Sequence, residues 1–287
     1  MIELSVIIIN YNTKKLTEQA VESVWDTVKE TSVEVIVVDN SSNPSERYRS
    51  NLPGVVLLDE VENNGFGNAC NLGAAKAKGD YLLFLNSDTI VHPQALDLTV
   101  RYLKEHTDVG AVGIRTYLKD GSFDHGCKRG FPTPSASLYY FLGMDKKHPE
   151  SKKYGAYRQA FLPEDQTAET DCVSGSYLMM PRAFFEEIGG FDETFFMYGE
   201  DVDLCFRVKE AGRKVVYFAD ASITHLKGAS GLHTKSREVI YHFHNAMKIF
   251  YRKHYKKKYN IFVTAAVYLG IWVKYRLTLF KMKCAHH

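Results

Sequence analysis

Apolar runs alternate with helix-spaced segments through the first half of the chain. Leu4–Ile9 and Val33–Val38 are β-branched runs with little polar relief, the pattern of strands buried on both faces of a parallel sheet. Between them, Leu16, Ala20, Val21, Val24 and Val28 recur at helical spacing and predict a helix over Lys14–Lys29. Val55–Leu58 predicts a third strand, Phe66–Lys78 a helix of small residues and Tyr81–Leu85 a fourth strand. Gln94–His106 predicts a helix opening after Pro93, followed by a strand over Val109–Ile114. This order predicts an α/β sheet with right-handed crossovers.

The second half is less regular. Thr116–Ser137 is polar and turn-rich, and Leu138–Gln166 is aromatic and lysine-rich without an assignable period. Cys172–Met180 reads as a strand, Pro181–Ile188 as a short helix, and Asp201–Ala211 as a helix closed by Gly212. Lys214–Phe218 and Ser222–His225 read as two strands and Lys235–His254 as a helix.

Composition adds limits. A chain of 287 residues with 45% hydrophobic and 24% charged residues suits a globular protein with an ample core. Its five cysteines are widely spread with no CxxC pair, which argues against a disulfide framework or zinc site and for a reducing compartment. No basic and apolar leader follows Met1, so a secretory signal is not expected. The net charge of +2 hides a sorted distribution. From Lys248 to His287 there are ten Lys or Arg and no acid, leaving 26 bases against 34 acids, net −8, in the rest. Sorted charge of this kind implies a polyanionic partner for the tail.

The chemistry concentrates at strand ends, where ligands bind in an open parallel sheet. Asn10-Tyr11-Asn12 follows the first strand, Asp39-Asn40-Ser41-Ser42 the second and Asn86-Ser87-Asp88 the fourth. Asn, Asp and Ser also serve simply as turn and cap residues. As a set, however, the ends suit a nucleoside diphosphate. Asp39 can accept from a base or ribose hydroxyl, Tyr11 can lie against the base, and Asp88 can meet a cation. Gly65 and Gly67, which are not part of a GxGxxG or P-loop, are expected to allow close approach near the nucleotide or to make a turn. Glu200-Asp201 leaves an aromatic turn and enters a helix, which suits either a general base in a cleft or acids at a helix N-terminus. Asp203, four residues before Arg207, is expected to make an ion pair on its own helix.

Several motifs in order carry a family resemblance. They are Val6-Ile7-Ile8-Ile9-Asn10-Tyr11-Asn12, Val37-Val38-Asp39-Asn40-Ser41-Ser42, Asn64-Gly65-Phe66-Gly67-Asn68-Ala69-Cys70-Asn71 and Gly79-Asp80-Tyr81-Leu82-Leu83-Phe84-Leu85-Asn86-Ser87-Asp88-Thr89. Gly189-Gly190-Phe191-Asp192-Glu193 and Phe195-Phe196-Met197-Tyr198-Gly199-Glu200-Asp201-Val202-Asp203-Leu204-Cys205 complete the series. Over roughly residues 3–230 the chain resembles the inverting family 2 glycosyltransferases of the GT-A fold, and within them the rhamnosyltransferase-like branch that builds bacterial surface polysaccharide.

The resemblance implies a Rossmann-like mixed sheet flanked by helices, a GT-A domain over 1–230 and a helical, basic extension over 231–287. It implies a nucleotide site of Asn10, Tyr11, Asn12, Asp39, Asn68, Asn86 and Ser87. It also implies Mg2+ or Mn2+ held by Asp88, with His225 either completing the metal shell, as in some relatives, or serving as a structural histidine, and Asp201 as catalytic base. Gly175, Tyr198 and Glu200 fall in the implied acceptor and sugar pocket. Asn86 stands where many relatives carry the first acid of Asp-x-Asp, which puts a two-carboxylate metal site in doubt. The implied donor is dTDP-rhamnose, with UDP-hexoses open, and the acceptor a lipid-linked or glycan hydroxyl. Thr116–Gln166 is expected to shape the acceptor site, with His125, Arg129 and Tyr139 as open choices.

Tyr259–Val273 is uncharged, apolar and shorter than the roughly 20 residues that span a bilayer. With its basic flanks it suits a helix in the membrane interface, so that residues 248–283 would rest on an anionic surface. The alternative is a helix packed on the domain or a dimer contact. The expected location is cytoplasmic, peripheral on the inner face of the cell membrane. No nucleic-acid motif accompanies the charge, and no nucleic acid is expected as partner. Among rival functions, a nucleotidyltransferase lacks its glycine-rich triphosphate loop, since Asn10–Thr13 contains no glycine. A non-catalytic sugar-binding or scaffold subunit is disfavoured by an intact Asp39, Asp88 and Asp201.

Overall fold

The computed structural model describes residues 1–50, 52–59, 61–227 and 236–284, the side chains of 283 and 284 excepted. Strands β1 (Leu4–Asn10), β2 (Val33–Asp39) and β3 (Val55–Leu58) alternate with helices α1 (Lys14–Thr27) and α2 (Phe66–Ala74). Then come β4 (Tyr81–Asn86), β5 (Thr89–Val91), α3 (Ala95–Glu105) and β6 (Val109–Leu118). The irregular middle holds β7 (Lys128–Arg129), α4 (Pro134–Phe141), α5 (Met144–Lys147), β8 (Ala168–Thr170) and β9 (Cys172–Val173). The chain continues through β10 (Tyr177–Pro181), α6 (Arg182–Glu187), α7 (Glu200–Glu210), β11 (Lys214–His225), α8 (Arg237–Phe250) and α9 (Ile261–Cys284).

One sheet runs in the order β3-β2-β1-β4-β10-β6-β11-β5, with β8 also on β11. It is mixed. The pairs β1/β2, β1/β4, β2/β3 and β6/β11 are parallel, whereas β10 lies antiparallel between β4 and β6. Six strands therefore point one way and their carboxyl ends share a rim. The apolar runs divide by alternation, because successive side chains of a strand point to opposite faces. Ile7, Ile9, Ile36 and Val38 pack with α2, α6 and α7. Val6, Ile8, Val35 and Val37 pack with α1 and α3 on the other face.

The structure corrects several expectations. The stretch 172–180 is two strands, because Ser174-Gly175-Ser176 turns the chain out of the small β7/β9 sheet and into the main one. The two strands expected over 214–225 are one, with a register shift between Phe218 and Ser222. α2 stops at Ala74, earlier than predicted. The last predicted helix opens at Arg237 behind the cap Ser236 and passes into a π-helical turn, Tyr251–Tyr255. Its expected start at Lys235, and the domain boundary at 230, lie outside the described residues. The apolar stretch of the tail belongs to a 24-residue helix that takes in Lys274, Arg276 and Lys281. By length and composition alone, Ile261–Met282 is long enough to cross a membrane, and almost none of it is buried.

Candidate active site

The rim is built from side chains that hold one another. Asn10 is buried and fully engaged: its Nδ2 donates to Asp39 Oδ2 (2.7 Å), Ser41 Oγ (2.9 Å) and the Glu46 carbonyl (2.9 Å). Its Oδ1 accepts from the Thr17 hydroxyl at 2.7 Å. Asn10 thus acts as the post that holds Asp39. The Asp39 carboxylate also accepts from the backbone N–H groups of Tyr48 (2.5 Å) and Ser41 (2.9 Å). Three of the roughly four lone-pair sites of a carboxylate are then taken, leaving one for a ligand. Asn12, at φ +56°, donates to Ser42 Oγ and ties the loop after β1 to the loop after β2. Tyr11 sits between them, half-buried. Ser87 Oγ lies 3.1 Å from Thr13 Oγ1, and the Asn86 N–H donates to the Ser176 carbonyl, so the third strand end is fixed to the same rim.

Asp88 and His225 meet there. Asp88 follows β4, His225 ends β11, and Nε2 of the imidazole is 3.0 Å from Asp88 Oδ1, both residues being buried. Nδ1 of His225 is buried without a hydrogen-bond partner, 4.0 Å from Asp124 Oδ2. Asp124 itself pairs with Lys227 at 2.7 Å. One hard carboxylate oxygen and one imidazole nitrogen suit a divalent cation whose other positions come from phosphate and water. Among the described residues no group of three or more His, Cys, Asp or Glu forms a complete protein cage.

The second half of the site is the start of α7. Tyr198 (φ +67°) and Gly199 (φ +82°) are both left-handed and turn the chain sharply into the helix. Its first turn carries Glu200, Asp201 and Asp203, where the helix dipole favours negative charge. Asp201 Oδ2 accepts from the Gly175 N–H (3.2 Å) and from Arg129 Nη2 in a short ion pair. Arg129 comes from β7, in the polar, turn-rich stretch Thr116–Ser137. Of the three open choices it alone reaches Asp201. His125 is exposed against Phe123, and Tyr139 packs on Tyr154. Burial, and then the Asp201 charge alongside, push the Glu200 carboxyl up to about 8, and its Oε2 is buried without a partner.

Asp203 makes its expected pair with Arg207 (2.8 Å) and two further contacts that spacing did not reveal. His254 Nε2 lies 2.7 Å and Lys253 Nζ 2.8 Å from its Oδ1. Part of the basic tail is therefore spent inside the molecule. Asn68 and Asn71 of α2 donate to the two carboxylate oxygens of Glu193, at 3.0 and 2.9 Å. Gly65 and Gly67 serve the same junction. A Cβ on Gly65 would lie 2.4 Å from the Phe196 carbonyl, and one on Gly67 3.1 Å from Phe191 Cβ. The close approach that these glycines allow within the chain is that of the segment leading into α7, and Gly65 at φ +102° makes the turn that opens α2.

Comparison with known proteins identifies the family and the fold. The family described as "Glycosyl transferase family 2" matches residues 5–188, and "N-terminal domain of galactosyltransferase" matches residues 165–229. The chain is 30% identical over 218 residues to the N-acetylglucosaminyl-diphospho-decaprenol L-rhamnosyltransferase of Mycobacterium tuberculosis (strain CDC 1551 / Oshkosh), covering 70% of this chain and 69% of that one. It is 29% identical over 162 residues to Rhamnosyltransferase WbbL of Escherichia coli (strain K12), covering 53% and 57%. The solved structure of GalNAc-T7 with UDP, GalNAc and Mn2+ superposes with a TM-score of 0.61 at 17% identity. That likeness covers 86% of this chain and 48% of the other, so this chain spans about half the length of that neighbour. The mixed sheet flanked by helices is the GT-A architecture.

Proposed function

The chain belongs to glycosyl transferase family 2, and on that premise we propose that it is an inverting, metal-dependent transferase. It moves a sugar, rhamnose favoured, from a nucleoside diphosphate to a hydroxyl of a lipid-linked or glycan acceptor. The observation that carries the reading is the meeting of Asp88 and His225 on the rim organised around Asp39. The rhamnosyltransferase-like branch is supported by the names of the two relatives, and the lipid-linked acceptor by that of the mycobacterial one.

In this reading Asp39 takes the nucleotide through its remaining lone pair, with Tyr11 against the base. Asn12, Asn86 and Ser87 belong to the same rim, and Asn68, which donates to Glu193 in this structure, would have to leave that contact to reach the nucleotide. A divalent cation, Mg2+ or Mn2+, held by Asp88 and His225 would offset the charge that develops on the leaving diphosphate. Asp201 exchanges the Arg129 guanidinium for the acceptor hydroxyl and takes its proton. The acceptor oxygen forms a bond to the anomeric carbon as the bond from that carbon to the diphosphate oxygen breaks, its electron pair leaving with the diphosphate. A single displacement inverts the centre. Glu200, protonated at neutral pH, presents its O–H to a hydroxyl of the sugar or acceptor beside Gly175 and Tyr198.

Residues 1–230 carry the reaction, and 231–287 hold the enzyme at the inner face of the cell membrane. The second part is supported by the exposed Ile261, Phe262, Leu269, Trp272, Leu277 and Phe280 of α9. The test is calorimetric titration with dTDP and with UDP, each with and without Mn2+. Metal-dependent binding of dTDP supports a rhamnose donor, and of UDP a UDP-hexose donor. Binding of neither overturns the site.

A further inference from the structure

We propose that α4 is a second membrane contact, independent of the C-terminal helix, which places the catalytic base beside the bilayer surface. The argument begins with exposure. Leu138, Phe141 and Leu142 are 54%, 59% and 57% exposed, and Tyr140 beside them is also exposed. Four large apolar side chains within five positions, on a short helix at the molecular surface, form a patch of the kind that marks an interaction site.

Charge selects the occupant. The next turns expose Lys146, Lys147, Lys152 and Lys153 against a single exposed acid, Glu150. Asp145 is buried and faces Arg158 at 3.7 Å. An apolar tip followed directly in the chain by exposed lysines is complementary to an anionic bilayer: the tip enters the acyl boundary while the ammonium groups stay at the headgroups.

Position gives the contact a purpose. α4 opens five residues after Arg129, which pairs with Asp201, so at most about 18 Å of chain separates them. Phe131, between the two, packs on Phe206 of α7 with ring centroids 4.9 Å apart. Tyr140 of α4 packs on Tyr157 at 5.0 Å, and the Tyr157 carbonyl accepts from the Gly130 N–H. The helix is thus fixed to the base through both of its flanks. A bilayer that takes up α4 brings the headgroup plane, and the hydroxyls of anything anchored in it, close to Asp201.

The inference rests on the functional reading for the role of Asp201 and shares with it the choice of a membrane as partner, whereas the contact made by α4 itself stands apart from both. Its test is sedimentation of the full chain with vesicles of phosphatidylglycerol and phosphatidylethanolamine, and with phosphatidylcholine vesicles. The variant Leu138→Ser, Phe141→Ser, Leu142→Ser is expected to lose at least tenfold in partition onto the anionic vesicles. A second variant, with Lys146, Lys147, Lys152 and Lys153 each changed to Glu, leaves the apolar tip intact. It is expected to lose a similar factor on anionic vesicles and little on phosphatidylcholine. If both variants sediment like the wild type, α4 is not a contact while the C-terminal docking stands. If the wild type stays in the supernatant, both fall. A light-scattering mass that drops from dimer to monomer in the serine variant would give the face to a second copy of the chain and overturn the proposal.

Discussion

Asp88 Oδ1 and His225 Nε2 stand 3.0 Å apart although 137 residues separate them in sequence. The antiparallel pairing of β5 with β11, in which His225 is level with Thr89, brings them together. A cation entering between them would exchange their mutual contact for two bonds to the ion. Asp88→Ala is therefore expected to abolish Mn2+-dependent nucleotide binding in the calorimeter. His225→Ala should weaken it by roughly tenfold or more. Nucleotide binding without metal should change little in either variant, and an equal loss with and without Mn2+ would count against a cation at this pair.

Asp124 faces the other nitrogen of the same ring at 4.0 Å. Carboxylates behind a metal-bound imidazole orient it, and their loss commonly costs about 10–100-fold in metal affinity. Asp124→Asn should fall in that range when Mn2+ binding is followed by electron paramagnetic resonance, with the thermal midpoint of the metal-free protein changing by only a few degrees. A collapse of the fold instead would assign Asp124 to its Lys227 pair.

Glu200 makes stability pH-dependent in the direction opposite to most carboxylates. Its folded pKa of about 8 lies above the ordinary 4.5, so the neutral form is favoured by folding. The stability it contributes is complete below about pH 4.5 and is lost as pH rises through 8. The shift corresponds to about 5 kcal/mol at full ionisation, an order-of-magnitude figure. Glu200→Gln should therefore resist urea better than the wild type at pH 8.5, and match it near pH 5. Equal pH profiles for the two proteins would show that Glu200 is ionised in the fold.

Asp203 behaves in the usual sense and more strongly than its helix partner alone would require. Burial by itself would raise its pKa, but the contacts with His254, Lys253 and Arg207 outweigh burial and bring it down to about 2. Stability from this group is present above about pH 4 and disappears as pH falls through 2, amounting to about 2 kcal/mol. Asp203→Asn removes the buried negative charge that Arg207, Lys253 and His254 share and should cost about 3 kcal/mol in a urea titration at pH 7. A loss below 1 kcal/mol would mean that the cluster relaxes into solvent.

Gly65 tests the junction between α2 and α7. At φ +102° it lies where an L side chain is strained, and its added Cβ would press on the Phe196 carbonyl that accepts from the Phe66 N–H. Gly65→Ala should cost about 3 kcal/mol. It should also lower kcat more than it raises KM, because the displaced segment leads into Glu200 and Asp201.

Local pattern carried much of this to the surface of the sequence. β1, β2 and β4 are apolar runs whose last residues are polar, so the rim of Asn10, Asp39 and Asn86 was readable from period alone. The short strands β5, β7 and β8 were not, because two or three residues cannot display a period. The turn at Ser174–Ser176 interrupts an otherwise strand-like stretch, and its Gly175 N–H meets Asp201 across 26 residues, a contact that exists only in three dimensions. The Arg129–Asp201 and His254–Asp203 contacts bridge 72 and 51 residues, and nothing in the spacing of either partner signals the other. The Asp203–Arg207 pair was legible for the opposite reason, since both ends sit on one helix face.

The dependence of Asp203 on Lys253 and His254 also bears on the order in which the protein becomes competent. A ribosome adding about 5–20 residues per second needs about 3–10 s to travel from one to the other. By the later part of that interval, once β11 has been made, the nascent chain holds every strand of the sheet, yet Asp203 has only Arg207 of its three side-chain partners. A message cut short before codon 253 would yield a polypeptide whose α7 lacks two of the three side-chain partners of Asp203.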